Sequence, residues 1–509
     1  MTDSSTGAGA IALGALQSAL ARGATEPIIP GFFPDPTICR VGNKFYLATS
    51  SFEYFPGAPL FHSTDLLSWT QLGHILDRRS QFRPGSGGDS AGIYGSTLRF
   101  HDGRFWFITT NLNEFERGQL IVTATDPAGT WSEPVYVPEA LGIDADLAWD
   151  DDGTCYLTWN ALSFVDVGRG IRQAVLDPAT GRLLCEDYPV WQGSGMLAPE
   201  GLHLYRIGEY WYLLLAEGGT ERGHAVTAAR APTPSGPFEP CPWNPVFTHR
   251  SSAHPVQNAG HADLLQLPGG EWAAVYLGAR PRGSTPGFHV LGRETFLAGV
   301  SWLDGWPVCD EERFDPPPVD TAFVDSFAGS ALNHRWVVPC GTPEEVATPL
   351  PDGGVALAAD GLLCFRVRDH TWSASAVVEK SGAIVLRLDS RHWCRVDYEG
   401  DMVRAIVCIG GIRHEVGVGA VRGGRATIAL RSAPPASPPV PVGHGGPDDL
   451  IMYVDTVDGQ VELARIDGRY FSTEVAAGFT GRMLGVSASG ARSIVRRVKY
   501  APAPSPRAL

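Results

Sequence analysis

Residues 100–110 read FHDGRFWFITT: the end of an apolar strand, a Gly-containing reverse turn and an aromatic-rich strand. The same hairpin occurs four more times, as RVGNKFYLATS (40–50), WDDDGTCYLTW (149–159), RIGEYWYLLLA (206–216) and LPGGEWAAVYL (267–277). Successive copies begin 60, 49, 57 and 61 residues apart, which is the spacing of propeller blades and too long for a solenoid of short units. Five copies predict a five-bladed β-propeller.

A different pattern follows the last hairpin. The three prolines Pro316–Pro318 form a stiff connector, and beyond it segments such as AIVLRLDS, WCRVDYE and VELARIDG are typical of antiparallel strands in a β-sandwich. The chain is therefore predicted to be all-β, with a propeller at residues 26–312 and a sandwich at 319–502. Residues 1–25 are predicted to form a disordered leader, and the Pro/Gly-rich segment 432–449 is predicted to be a mobile loop.

Composition excludes several classes of partner. The formal net charge is −15, with 40 Lys and Arg against 55 Asp and Glu, so no basic stripe is available for nucleic acid or an anionic membrane. No apolar run reaches the ~18 residues that a membrane-spanning helix needs. The nine cysteines are scattered without a C-x-x-C pair, which predicts a reduced, cytoplasmic protein without a zinc site. A neutral substrate fits this composition best.

One acidic residue stands in an unusual position. The stretch PGFFPDPTIC (30–39) places Asp35 between Pro34 and Pro36. Proline fixes its own φ and restricts the residue before it, so this carboxylate is predicted to be held on a stiff, extended backbone. Stiffness suits a group that must be aimed, although an Asp-Pro pair alone is more often only a turn.

The position of Asp35 within its hairpin repeat supports a role for this residue in a functional site. The inner strands of a propeller line its axis, so equivalent positions at their starts should converge. Counting back 11 or 12 residues from the middle of each aromatic strand gives Asp35, Gly95, Asp144, Glu200 and His261. Four of these five positions are ionisable, and clustered titratable groups indicate a functional site.

Acids that converge on one axis fit a particular chemistry. Two carboxylates separated by a sugar and a water molecule carry out inverting glycoside hydrolysis, and a third can raise the pKa of the proton donor. Arg293 is either a clamp on the sugar or the partner of a structural acid. The aromatic residues that could provide sugar platforms are Phe52, Tyr54, Phe55, Trp159 and Phe164.

The chain resembles glycoside hydrolase family 43, within its two-domain β-xylosidase and α-L-arabinofuranosidase group. The matching stretches are PIIPGFFPDPTI, YLATSSFEYFPG, GIDADLAWDDDG, APEGLHLY, HPVQNAGHADLLQ, LGRETFL and FSTEVAAGFTG. This resemblance implies that Asp35 is the general base, Glu200 the general acid and Asp144 the group that orients the acid and modulates its pKa.

The same resemblance suggests roles for three more residues. Arg293 is similar to the residue that contacts the sugar in the innermost subsite. His261 is similar to the central histidine of the propeller, which either fills the channel or helps to hold a cation or water there. The FSTEVAAGFTG loop resembles one that reaches from the second domain to the pocket, with Phe479 as a lid. After SAGI the family usually continues Trp-Ala-Pro, whereas Tyr94, Gly95 and Ser96 stand here, which weakens the inference of sugar preference.

The predicted activity is exo-acting, inverting release of terminal xylose from β-1,4-xylo-oligosaccharides, with α-L-arabinofuranoside cleavage as the alternative. Hydrolysis by carboxylates needs no cofactor, a structural cation near His261 is left open, and so is a homo-oligomer. The related fructosidases are disfavoured because neither Asn-Asp-Pro-Asn nor an Arg-Asp-Pro block occurs. A non-catalytic carbohydrate-binding protein is the alternative from another class.

Overall fold

The computed structural model describes residues 25–85, 88–162, 170–339, 341–436, 445–489 and 493–503. It confirms the predicted architecture, because five antiparallel sheets of a propeller precede the two sheets of a β-sandwich. The propeller strands lie between residues 37 and 310 and the sandwich strands between 323 and 502.

Each blade runs from an inner to an outer strand in chain order. Blade 1 comprises β1 (Thr37–Val41), β2 (Lys44–Ala48), β3 (Gly57–Ser63) and β4 (Thr70–Leu76). Blade 2 comprises β5 (Ile93–His101), β6 (Arg104–Asn111), β7 (Gln119–Ala124) and β8 (Val135–Val137). Blade 3 comprises β9 (Gly142–Trp149), β10 (Cys155–Ala161), β11 (Gly170–Asp177), β12 (Arg182–Leu183) and β13 (Tyr188–Pro189). Blade 4 comprises β14 (Glu200–Ile207), β15 (Tyr210–Glu217), β16 (Ala225–Ala231) and β17 (Glu239–Pro240). Blade 5 comprises β18 (Gln257–Gln266), β19 (Trp272–Ala279), β20 (Glu294–Leu303) and β21 (Trp306–Asp310).

The sandwich consists of an eight-stranded and a six-stranded sheet. The larger sheet comprises β22 (Phe323–Asp325), β23 (Ala347–Pro349), β24 (Val355–Leu357), β26 (Trp372–Glu379), β31 (Arg425–Ala433), β32 (Asp449–Thr456), β33 (Gly459–Asp467) and β35 (Ser493–Pro502). The smaller comprises β25 (Leu362–Arg366), β27 (Ser381–Arg387), β28 (Trp393–Glu399), β29 (Met402–Ile409), β30 (Ile412–Ala420) and β34 (Met483–Ser487). The short helices are α1 (Pro343–Val346), α2 (Thr473–Ala476) and the 3-10 helices Leu112–Arg117 and Gly468–Phe471.

The local sequence explains the β5–β6 turn of the propeller and the apolar core of the sandwich. Asp102 and Gly103 join β5 to β6 with φ values of 48° and 71°, and this pair of positive φ values is what a two-residue type I′ turn requires. In the sandwich, alternate residues of β26 and β27 pack in one apolar cluster, as shown by Val378, Ile384 and Leu386. Each strand thus gives one face to the core.

The first residues of the propeller connect its two ends. Thr37 at the start of β1 donates a hydrogen bond to Asp263 of blade 5 (2.8 Å), and the backbone N–H of Gly31 donates to Glu294 (2.8 Å). The same segment contacts the sandwich, because Nε of Arg366 donates to the carbonyl of Phe32 (2.7 Å). The N-terminal part of the propeller is therefore fixed by both blade 5 and the second domain.

Several predictions concern residues that the structure only partly describes. The predicted leader at 1–25 lies outside the described residues except for its last position, and so do residues 437–444 of the predicted 432–449 loop. The first two residues of that segment belong to β31 and its last residue to β32. The eight cysteines among the described residues are free. In the part of the chain that the structure describes, no helix is both long and apolar enough to cross a bilayer. The exact domain limits remain predictions.

Candidate active site

The five positions found by register counting line one pocket on the propeller axis. Three residues that the sequence did not single out also line it, namely Ile143, Thr220 and His224. The predicted residues in the pocket are Asp35, Phe52, Tyr94, Gly95, Asp144, Glu200, His261, Arg293 and Phe479.

Irregularities of the inner strands aim these residues at the axis. In each of blades 2 to 5, two consecutive residues of the inner strand face a single residue of its neighbour. Such bulges bend a strand and redirect side chains, and they are common beside active sites. The doubled pairs are Tyr94 and Gly95, Asp144 and Ala145, Gly201 and Leu202, and, in blade 5, both Asn258 and Ala259 and His261 and Ala262.

The backbone of Asp35 differs from the sequence prediction. Its φ is 53°, so it is left-handed, not extended. Pro36 disfavours the right-handed helical region at the preceding residue, but aspartate tolerates the left-handed region. Asp144 and His261 take the same conformation, at 55° and 48°, and in blade 4 the left-handed residue is Gly201, one position after Glu200. A repeated local strain thus turns the axial side chains into the channel.

Asp35 is buried as an ion pair. Nη1 of Arg293 donates to Asp35 Oδ1 (2.9 Å), and Nδ1 of His261 lies 3.4 Å from the same oxygen. Burial favours a higher pKa, but Arg293 and His261 together outweigh it and hold the pKa of Asp35 well below its usual range. The carboxylate that Arg293 binds is thus the axial acid Asp35 and not an acid outside the pocket, and its contact with a sugar stays a prediction.

The surroundings of Glu200 shift its pKa in the opposite direction to that of Asp35. Burial, followed by repulsion from Asp144 and offset in part by His261, raises the pKa of Glu200 to about 8. Asp144 accepts a hydrogen bond from the backbone N–H of Gly201 (2.8 Å), which fixes it beside Glu200 on the adjacent blade. Burial also raises the pKa of Asp144, against the attraction of His261. The pocket therefore contains one carboxylate held ionised and one carboxylic acid held protonated at neutral pH.

Gly95 provides the space that Asp144 occupies. A Cβ atom at position 95 would lie 2.2 Å from Asp144 Oδ1 and 3.1 Å from Cε1 of His261. The absence of a side chain at this position therefore allows the Asp144 carboxylate to lie where it does.

An aromatic wall closes one side of the pocket. The rings of Phe52 and Phe479 stack with centroids 5.7 Å apart, and Tyr94 meets them edge-on at 4.9 and 6.0 Å. The Arg293 guanidinium lies over both phenylalanine rings, 5.6 and 5.7 Å from their centroids. This wall adjoins the ion pair with Asp35, so it offers an apolar face next to the charged group.

Phe479 comes from the sandwich, as the sequence predicts for the FSTEVAAGFTG loop. Its backbone N–H donates to Ser90 Oγ (2.9 Å), and Tyr94 donates through its hydroxyl to the Ser90 carbonyl (2.9 Å). At the other end of the loop, Glu474 lies 2.6 Å from Nδ1 of His289 and accepts from the His289 backbone N–H at 2.9 Å. These contacts hold the loop across the pocket.

Comparison with known proteins identifies the family of the chain. Residues 24–307 match the family model described as glycosyl hydrolases family 43. The chain belongs to this family. Over 338 residues it is 48% identical to a Butyrivibrio fibrisolvens protein named "Xylosidase/arabinosidase", covering 62% of this chain and 64% of that one. Over 286 residues it is 45% identical to "Non-reducing end alpha-L-arabinofuranosidase BoGH43B" of Bacteroides ovatus, covering 55% and 52%. It thus spans less than two thirds of either relative.

A solved structure matches nearly the whole chain. The crystal structure of xylan beta-1,4-xylosidase from Bacillus halodurans C-125 has a TM-score of 0.83 and 26% identity, covering 94% of this chain and 99% of that one. The similarity therefore includes the sandwich as well as the propeller of this family 43 chain.

Below the acids, this family 43 chain has a buried group of charges that the sequence analysis missed. Arg99 donates to Asp146 (2.8 Å) and to Asp263 (2.9 Å). Tyr205 donates through its hydroxyl to Asp263 (2.5 Å), and Nδ1 of His203 lies 3.1 Å from Arg99 Nη2. These residues come from blades 2, 3, 4 and 5. Their bonds therefore connect four of the five blades just beneath the pocket. Removing one partner of a buried ion pair would leave an unpaired charge and destabilise this connection.

Several predicted aromatic platforms are not in the pocket. Trp159 is 1% exposed and packs in the blade 3 core with Leu157, so its predicted contact with substrate is wrong. Tyr54 and Phe55 are also buried in apolar clusters. Phe164 lies outside the described residues.

Two pocket residues were missed because they lie in the connection between β15 and β16. Thr220 Oγ1 accepts a hydrogen bond from Arg293 Nη1 (3.0 Å). His224 is buried against the Asn258 carbonyl (2.8 Å), and burial lowers the pKa of His224 to about 4. Among the described residues, His261 is not part of a group of three convergent His, Cys, Asp or Glu ligand atoms. A cation near it stays a prediction.

Proposed function

We propose that this protein is an exo-acting, inverting glycoside hydrolase that releases terminal xylose from β-1,4-xylo-oligosaccharides. The observation that carries this proposal is the opposite shift of two acids in one pocket. The pKa of Asp35 is held low by Arg293 and His261, while burial and Asp144 raise the pKa of Glu200 to about 8. Titratable groups whose surroundings separate their pKa values are suited to acid and base roles.

In the proposed mechanism, protonated Glu200 donates to the glycosidic oxygen as the bond to the anomeric carbon breaks. Ionised Asp35 takes a proton from a water molecule that attacks the opposite face of that carbon. Asp35 and Glu200 belong to blades 1 and 4, which are not adjacent, and this supports a separation that admits both sugar and water. Asp144, adjacent to Glu200, keeps the acid protonated by like-charge repulsion. Catalysis by these groups requires no cofactor.

Exo action is supported by the walls of the pocket. The stacked rings of Phe52 and Phe479 close one side, and the buried charges around Arg99 fill the channel below. A pocket closed in this way accepts a chain end more readily than the middle of a polysaccharide. Arg293 is proposed to bind a sugar hydroxyl through its guanidinium, and Tyr94 to pack beside the sugar.

Xylose is favoured by one comparison and arabinose remains the second candidate. The solved structure that matches nearly the whole chain is a xylan beta-1,4-xylosidase, whereas one sequence relative carries both activities in its name and another is an arabinofuranosidase. A carbohydrate-binding protein without turnover is the third candidate. A cytoplasmic location, a homo-oligomer and a structural cation near His261 remain proposals.

A panel of nitrophenyl glycosides tests the proposed substrate. The β-D-xyloside is expected to have a kcat/KM at least ~10-fold above that of the α-L-arabinofuranoside, a difference of about 1.4 kcal/mol in transition-state binding. The reverse order would establish the arabinofuranosidase alternative. Binding of xylose without hydrolysis of any member of the panel would support the binding protein.

The pH dependence of kcat/KM is expected to show an alkaline limb near pH 8. Glu200 must carry its proton to act as an acid, and its pKa is raised to about 8, so activity falls as pH rises through that value. Asp35, whose pKa is lowered, stays ionised well into the acidic range, so a broad plateau should precede the limb. The measurement is kcat/KM for xylobiose, whose leaving group needs the proton, between pH 4 and pH 10. Persistence of the same limb in Glu200→Gln would show that another group titrates.

Removing the aromatic lid is expected to weaken substrate binding. Phe479→Ala deletes the ring that stacks on Phe52, and such a ring pair contributes about 0.5–1.5 kcal/mol. We expect KM for nitrophenyl xyloside to rise by up to ~10-fold, with a smaller change in kcat. The matched control is Val475→Ala, on the same loop and 42% exposed. An equal rise of KM in both variants would mean that the loop, and not this ring, determines binding.

A further inference from the structure

Three metal-ligand side chains converge at a place remote from the acids. The ligand atoms of His249, His254 and Glu311 all lie within 4.8 Å of one another. The two histidines lie in the connection between β17 and β18, and Glu311 directly follows β21. None of the three lines the pocket that holds Asp35 and Glu200.

The inner nitrogens of the two rings, the Nδ1 atoms, are both directed at one backbone carbonyl. Nδ1 of His249 lies 2.9 Å from the Val256 carbonyl, and Nδ1 of His254 lies 3.0 Å from the same oxygen. A carbonyl only accepts, so each of these bonds requires a proton on Nδ1, and in the neutral ring the lone pair is then on Nε2. The Val256 N–H also lies 3.2 Å from Nδ1 of His254, and a metal on Nε2 would select the Nδ1-protonated form. Metal-binding histidines are commonly oriented by such a bond to a backbone carbonyl.

The outer nitrogens face groups that a cation would satisfy. Nε2 of His254 is buried and has no hydrogen-bond partner among the described residues. Nε2 of His249 lies 2.8 Å from Glu311 Oε2, and the two rings have centroids 3.8 Å apart. Glu311 is oriented through its other oxygen by the Tyr276 hydroxyl. A buried unpaired nitrogen is unusual and requires an explanation.

We propose that His249, His254 and Glu311 bind a divalent first-row transition metal of the Zn²⁺ type. Two imidazoles and one carboxylate are ligands that Zn²⁺ accepts, and water can complete its coordination. The metal would link the entry to blade 5 with the residue that follows the last strand of that blade. Its role is therefore structural, and it is separate from the proposed hydrolysis. The prediction of no zinc site rests on the spacing of the cysteines. It does not anticipate this site, whose ligands are two histidines and a glutamate.

The test uses the full-length protein after treatment with a chelator and dialysis. Titration with Zn²⁺ by calorimetry is expected to show a single tight site, and Zn²⁺ should raise the unfolding midpoint by stabilising the folded state. Co²⁺ in place of Zn²⁺ should give the visible absorption bands of a site with fewer than six ligands. Absence of a tight site in the wild-type protein would overturn the proposal and leave a hydrogen-bonded His–Glu pair.

Variants separate this site from adventitious binding by surface histidines. His254→Ala and Glu311→Gln are each expected to weaken Zn²⁺ binding by at least the ~10–100-fold that loss of an outer-shell partner alone causes. His414→Ala, which removes an exposed histidine of β30, should leave the affinity unchanged. Glu311→Gln keeps the shape of the side chain, so it remains informative if His254→Ala folds poorly. Unchanged tight binding in both ligand variants would contradict the proposal.

Discussion

Glu200→Gln is expected to slow the hydrolysis of xylobiose by about 10²–10⁴-fold, the usual contribution of a general acid. The amide has the size of the acid but cannot transfer a proton to the leaving oxygen. Nitrophenyl xyloside should lose far less activity, because nitrophenolate leaves without protonation. The measurement is kcat for both substrates, together with the dissociation constant of xylose, which should change little. Burial and Asp144 raise the pKa of Glu200 to about 8, so the wild-type side chain carries the proton that the amide cannot supply.

The matched control is Glu221→Gln, an exposed glutamate in the connection that follows β15 of the same blade. It should leave both substrates unaffected. Equal losses for xylobiose and nitrophenyl xyloside in Glu200→Gln would contradict its role as the acid. Normal sugar binding with no wild-type turnover would instead favour the carbohydrate-binding protein.

Asp35→Asn is expected to reduce kcat by about 10²–10⁴-fold on both substrates. An amide cannot accept the proton of the attacking water, and a better leaving group does not replace that function. The variant also leaves the buried Arg293 without its carboxylate partner, since the two are joined at 2.9 Å. Its free energy of unfolding should therefore fall, and turnover must be measured well below the unfolding midpoint.

Asp102→Asn is the control for this variant. Asp102 has a similar left-handed backbone, with φ of 48° against 53° for Asp35, but lies in an exposed turn. It should retain wild-type turnover on both substrates. If Asp35→Asn hydrolysed nitrophenyl xyloside normally while losing only xylobiose, the assignment of acid and base would have to be exchanged.

The fold could be predicted because the blades repeat. An aromatic strand and its turn return five times, and equivalent residues of repeated blades must face the same axis. That single constraint placed Asp35, Gly95, Asp144, Glu200 and His261 together, and all five line one pocket. Counting back 11 or 12 residues from each aromatic strand works even though the blades are far apart in the chain. The bulges of the inner strands do not upset this count, because similar bulges occur in four of the five blades.

The same reasoning fails for side chains that only neighbouring elements can place. Trp159 has the ring that a sugar platform needs, yet it lies two positions from Leu157 and from Ala161 and shares their buried face. The period of two residues in a strand predicts this. The same period leads from Asp144 and His261 to Asp146 and Asp263, which bind Arg99 below the pocket.

Other contacts have no signal in a single sequence. Thr220 becomes part of the site because Arg293, 73 positions away, donates to it. His249 and Glu311 are 62 positions apart, and no spacing rule joins them. Such pairs depend on how one connection packs against another blade, which local patterns do not encode.

Proton NMR of xylose release from a β-xyloside tests the central claim most directly, since Asp35 and Glu200 are proposed to act on opposite faces of the sugar. Spectra recorded before the anomers equilibrate should show α-xylose as the first product. First appearance of β-xylose would mean retention, and Asp35 could then not be a base that activates water.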